Sequence, residues 1–144
     1  MPAGSPVALH RTYLAQDGRG KADADPARAS LGPVWGGAVR LDSVAPELVV
    51  GEGIETAASA GRLLGRPAWA AISAGNLERG LVLPPEVRRV VVALDPDGPG
   101  ERAARAAAAR WLAEGRAVRI ARPVGPGDFN DVLAADAAEG GTRD

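Results

Sequence analysis

The clearest pattern along the chain is an unbroken apolar run, Val90-Val91-Val92-Ala93-Leu94, that stops abruptly at Asp95-Pro96-Asp97-Gly98-Pro99-Gly100. A β-branched run without polar alternation is what a strand covered on both faces requires, so residues 89–94 are predicted as a central parallel strand. The hexapeptide after it is turn-rich. Pro99 suits the first turn of a helix, and Glu101 to Ala113 supplies strong helix formers up to Gly115, a natural stop. The same order recurs upstream, where Glu47 to Gly51 reads as a strand and Ile54 to Leu64 as a helix. Ile54, Ala57, Ala58, Gly61 and Leu64 would form that helix's inward stripe. Two further strands are predicted at 68–72 and 117–121. Ser73 to Gly80 should hold only a short turn or helix, and a closing helix should run from its N-cap, Asp128, to about Ala138.

Alternating strands and helices of this kind predict an α/β fold, a parallel sheet of about four strands flanked by helices. Residues 1–46 form a β-rich lead-in, with a strand over Leu9 to Leu14 that turns back at Asp17-Gly18 and Gly20 as a hairpin. Residues 47–139 form the α/β unit, and 140–144 a flexible tail. The 144 residues, 46% of them hydrophobic, suffice for one compact domain.

Chemistry enters where the strands end. Glu52 follows the first α/β strand, Asp95 and Asp97 follow the central one, and Gly127-Asp128-Phe129-Asn130-Asp131 opens the last helix. Carboxylates delivered from two strand ends to one sheet edge can hold a divalent metal against phosphate. Taken singly, each acid also has an ordinary explanation as a turn or capping residue. Glu55, one turn into its helix, favours the helix dipole or orients a basic neighbour.

Several functions are disfavoured. Gly51-Glu52-Gly53-Ile54-Glu55-Thr56 nearly spells a dinucleotide fingerprint, but Thr56 replaces the third glycine. Glu52 would also set a carboxylate against the pyrophosphate such a loop must cradle. No cysteine is present, which removes disulfides and a cysteine-based zinc ribbon. A net charge of −1 argues against nucleic-acid binding by bulk electrostatics alone. Most basic residues, among them Arg11, Arg19, Arg62 and Arg66, read as solvated or helix-end charges, whereas Lys21 and Arg28 are candidates for phosphate or nucleic-acid contact. Trp35, Trp69 and Trp111 fall on different elements and read as packing aromatics, not a stacking platform.

The motifs GEGIETAASA, ALDPDGPGERAA and GPGDFNDVL, in this order and spacing, resemble the Toprim domain of primase-like proteins from phages, plasmids and mobile elements. HRTYLAQDGRGKA and LGPVWGGAVRL resemble the segment that precedes Toprim in that group, so the likeness covers most of the chain. It implies a Rossmann-like Toprim sheet and a role in DNA replication. Glu52 would be the general acid/base, Asp95, Asp97 and Asp128 the metal site, and Asp131 and Glu55 additional members. The implied cofactor is Mg2+ or Mn2+, and the implied reaction is nucleotidyl transfer for primer synthesis. Implied partners are a single-stranded DNA template, nucleotides, and further domains or a helicase or zinc-binding protein.

A Toprim nuclease and a non-catalytic docking module for nucleic acid or protein are the alternatives. A dehalogenase-like phosphatase fits poorly, because Gly98-Pro99-Gly100 follows the Asp-x-Asp and Lys21, the sole lysine, precedes it. No apolar span approaches the roughly 20 residues a membrane helix needs. No secretion signal opens the chain, so cytoplasmic location is expected.

Overall fold

Strands β4 (Glu47–Gly51) and β6 (Arg89–Ala93) form the centre of a five-stranded sheet whose order is β3-β5-β4-β6-β7. The computed structural model of the chain describes residues 5–96 and 98–140. In chain order the other elements are β1 (Leu9–Thr12), β2 (Arg28–Leu31), β3 (Val39–Arg40), α1 (Ile54–Leu64), β5 (Ala68–Ala70), α2 (Gly98–Ala113), β7 (Ala117–Ala121) and α3 (Phe129–Gly140). One turn of π-helix, Asn76–Gly80, lies between β5 and β6.

Period-two alternation along the central strands sorts their side chains into two cores. Leu48, Val50, Trp69, Val90, Val92 and Leu94 face α2 and the π-turn, together with Leu77, Leu81 and Trp111. Val49, Ala68, Ala70, Val91 and Ala93 face α1 and Phe129 of α3. The second core is built largely from alanine, so α1 lies close to the sheet. A Cβ added to Gly61 would sit 2.8 Å from the Ala68 Cβ.

The four strands and three helices read from the sequence are all present, with three differences. Strand β5 stops at Ala70 because Ile72 adopts φ +79, which takes the chain out of extended conformation. The buried residues of α1 are Thr56, Ala57, Ser59, Ala60 and Gly61, since α3 covers the helix from a second direction and the Ser59 hydroxyl reaches Asn130 Oδ1 at 3.4 Å. The sheet also gains a fifth strand, β3, which pairs antiparallel with β5 through Val39↔Ala70 and Arg40↔Trp69. The expected tail lies outside the described residues from 141 onward.

In the lead-in, β1 and β2 pair antiparallel, and the expected hairpin closes through Ala15 N to Gly20 O at 2.8 Å. Trp69 and Trp111 are buried as expected, but Trp35 is 61% exposed. Its indole lies flat on Gly80, where any Cβ would come within 2.9 Å of the ring.

Asn76 fastens the lead-in to the sheet. This side chain is 1% exposed, and its amide makes three bonds: Oδ1 accepts from Gly36 N at 2.8 Å, and Nδ2 donates to Gly37 O at 2.9 Å and Ala71 O at 2.8 Å. A buried polar group satisfied in this way is costly to remove, because its partners stay desolvated and unpaired. Arg110 caps the same turn from α2, donating to Leu77 O, Glu78 O and Leu81 O at 3.1, 3.2 and 2.8 Å. Asn76→Ala should therefore lower the unfolding free energy by about 2–4 kcal/mol, read as a fall in the urea midpoint at unchanged slope.

Candidate active site

Strands β4 and β6 are parallel neighbours in the register Gly51↔Ala93, so their carboxyl ends emerge side by side. From β4 the chain crosses to β5 on one side and then returns to β6 on the other. The crevice beyond these two ends is therefore a topological switch point, the place where open α/β sheets bind ligands. Glu52 leaves β4 there and Asp95 leaves β6.

Local geometry fixes both acids. Gly51 permits the sharp turn into α1, since a Cβ there would lie 2.9 Å from Ala57 N and 3.1 Å from its Cα. The Glu52 carbonyl accepts the Ile72 amide at 2.7 Å, tying this turn to the end of β5. Asp95 Oδ1 accepts a 2.7 Å hydrogen bond from the hydroxyl of Thr56, a buried residue in the first turn of α1. Thr56, the residue that spoils the dinucleotide fingerprint, thus joins the two strand ends.

Asp128 and Asp131 form a reciprocal cap on α3. Asp131 N donates to Asp128 Oδ1 and Asp128 N donates to Asp131 Oδ2, each at 3.0 Å. Gly127, at φ +98, is required beside them because a Cβ would run into the Asp131 carboxylate.

Glu52, Asp95 and Asp128 line one cavity of about 600 Å³. Its other wall comes from the lead-in, with Thr12, Arg19, Lys21 and Arg28. Glu55 joins the two sides: its Oε1 lies 3.6 Å from Lys21 Nζ and 3.3 Å from Arg28 Nη2. The expectation that Glu55 orients a basic neighbour holds for two of them.

Six of the residues singled out in the sequence therefore meet in one place: Glu52, Asp95, Asp128, Glu55, Lys21 and Arg28. Asp131 lines a different cavity, among residues of α1, β7 and α3, and its carboxylate serves the cap. Asp97 lies outside the described residues. Arg19, read as a solvated charge, lines the cavity after all, whereas Arg11 stacks over Tyr13 at 5.4 Å and Arg66 pairs with Glu47 at 3.2 Å. Thr56 and Asn130 were not anticipated as site residues. For Thr56 the available signal was its position four residues after Glu52, on the first helical turn beyond the strand end.

A family model for the Toprim domain matches residues 47–139. The chain belongs to this family. Residues 1–41 match a second model, a domain family of unknown function. The structure is similar to that of a DNA primase domain from Pseudomonas aeruginosa, with a TM-score of 0.58 and 19% identity over 95% of this chain. That likeness is one of fold, and this chain spans 50% of the length of the primase-domain chain. No curated protein matches the sequence. No helix among the described residues is long and apolar enough to cross a membrane.

Toprim domains generally bind divalent metals. Among the described residues, no group of three or more His, Cys, Asp or Glu side chains is placed to hold a metal ion. A closed cage is not what magnesium needs, however. It takes hard oxygen ligands, keeps several waters, and is commonly held by one or two carboxylates together with substrate phosphate. The carboxylates on one wall of this Toprim cavity, Glu52, Asp95 and Asp128, suit that mode.

The capping and site roles of Asp128 separate by substitution. Asp128→Asn keeps a good cap and should leave the melting temperature within about 2 °C of wild type, whereas Asp128→Ala should cost about 1 kcal/mol. Thermal melts of the two variants check this.

Proposed function

We propose that this chain is the metal-dependent catalytic unit of a primase-like replication protein, which joins ribonucleotides on a single-stranded DNA template. The observation that carries the reading is the single cavity in which acids from two strand ends and a helix cap face Arg19, Lys21 and Arg28 of the lead-in. Acids alone suit a metal and cations alone suit a phosphate. Both on opposite walls suit a metal-bound polyphosphate.

Asp95 and Asp97, extended by Asp128, would hold Mg2+ or Mn2+. Such an ion, when bound, neutralises charge that develops on the phosphoryl oxygens. Thr56 holds the Asp95 carboxylate at the cavity wall by its 2.7 Å hydrogen bond to Oδ1. Lys21 and Arg28 receive the nucleotide's phosphates by exchanging the Glu55 carboxylate for phosphate oxygens. Their pairing with Glu55 keeps both side chains at the cavity in the meantime.

In the reaction, the hydroxyl oxygen of the growing strand forms a bond to the α-phosphorus. The bond from that phosphorus to the bridging oxygen breaks, and pyrophosphate leaves. Glu52, at the end of β4, accepts the proton the hydroxyl loses. Template contacts would come from further domains or from a helicase or zinc-binding partner, since the chain has no cysteine and a net charge of −1.

The test is incorporation of labelled ribonucleotide on a single-stranded template with Mg2+ or Mn2+. Glu52→Gln should lower turnover by roughly 10²–10⁴-fold. Asp95→Asn should raise the metal concentration required. Shortened template strands without incorporation would make the protein a Toprim nuclease. Metal and DNA association without turnover, with Glu52 intact, would make it a docking module.

A further inference from the structure

Next to the acidic cavity lies a smaller, half-open one of about 270 Å³, between the lead-in and β3 at the edge of the sheet. Val7, Ala8, Val34 and Val39 give it apolar walls, and His10 and Arg40 supply polar groups. The function proposed above uses none of these residues.

Two features join this slot to the larger cavity. Ile72 lines both, and it is the one non-glycine residue with positive φ among those described. That conformation is strained for a β-branched residue, and such strain clusters at ligand sites. The bond from its amide to the Glu52 carbonyl, at 2.7 Å, holds the shared wall in register with the acidic turn. The second feature is the inward face of β1 and its extension. His10 lines the slot, whereas Thr12 and Leu14, at alternate positions further along, line the larger cavity. At about 3.3 Å per residue this face spans roughly 13 Å, comparable with the reach of a nucleoside triphosphate from its ring to its last phosphate.

Size and chemistry indicate which end goes where. Small-molecule pockets usually measure roughly 300–1,000 Å³. A slot of 270 Å³ accepts a single ring system but not a whole nucleotide, and most of its wall is apolar. His10 is oriented by Ser30, whose Oγ lies 2.8 Å from Nδ1, which leaves Nε2 as the nitrogen for a ligand. The Arg40 guanidinium is held 4.2 Å from the centroid of the Trp69 ring, so a flat cation borders the slot.

We infer that, before a template is engaged, this slot holds the base of a nucleoside triphosphate whose phosphates lie against Lys21 and Arg28, which rests on the phosphate-binding reading of the larger cavity; pairing with a template would then draw the base out. The test is calorimetry with ATP and with inorganic tripolyphosphate, both in excess Mg2+. Wild-type protein should bind ATP about ten-fold more tightly than tripolyphosphate. Ala8→Phe, which puts a ring into the slot, should erase that difference while leaving tripolyphosphate affinity unchanged, and the unchanged affinity also reports that the variant is folded. Should Ala8→Phe not fold, His10→Ala gives a second reading and should weaken ATP several-fold with tripolyphosphate unaffected. Equal affinities in wild type, or an ATP preference that survives the folded variants, would overturn the slot and leave the phosphate site standing. Binding of neither ligand would overturn both.

Discussion

Everything at the site depends on the parallel register of β4 and β6. Pairing Gly51 with Ala93 brings two strand ends to one level about 4.8 Å apart. Glu52, one residue beyond Gly51, and Asp95, two beyond Ala93, therefore reach the same cavity. A slip of one residue would turn Val49 and Val91 toward the wrong core and Leu48, Val90 and Val92 toward the other. The two cores differ enough in volume that such a slip is strongly opposed. One is filled by Trp69, Trp111 and leucines, the other by alanines. Burial on both faces therefore specifies the position of the chemistry.

The alanine-lined face has a second effect. Because α1 lies so close to the sheet, Thr56 in its first turn reaches across β4 to Asp95, a residue of the neighbouring strand's loop. A bulkier face would hold the helix further out and break that link. Polar order at the site thus follows from small side chains beneath it.

Much of this was legible in the sequence, for a simple reason. The strands β4, β6 and β7 and the helices α1 and α2 are long enough to carry a pattern, and Glu52 and Asp95 stand where apolar runs stop. What could not be read depends on contacts distant along the chain. Strand β3 has two residues and exists only because β5 is there to pair with it. Trp35 has the composition of a core residue, but Gly80 gives it a flat surface to cover instead of a pocket to fill. The inward stripe of α1 was read in part: Ala57 and Gly61 are buried and Ile54 and Leu64 pack against the core, but α3, 65 residues later, packs on the same helix, which also buries Thr56, Ser59 and Ala60. Asp128 and Asp131 look alike in sequence, and only their reciprocal cap places one at the acidic cavity and the other away from it.

Besides the pairing of β3 with β5, the lead-in meets the Toprim unit through two unlike fastenings. Around Asn76 the bonds are buried, and dissolved ions barely reach them. At the site the links are the pairs from Lys21 and Arg28 to Glu55, all with side chains at least 38% exposed. Pairs of that kind contribute about 0–1 kcal/mol and weaken over a screening length of about 8–10 Å at ordinary ionic strength. The hairpin is thus anchored at one end and tethered at the other, like a door with a fixed hinge and a magnetic latch. The latch is made of the same cations that an incoming phosphate would claim, so under the proposed function a bound polyphosphate would take over from Glu55 as the tether between the two walls.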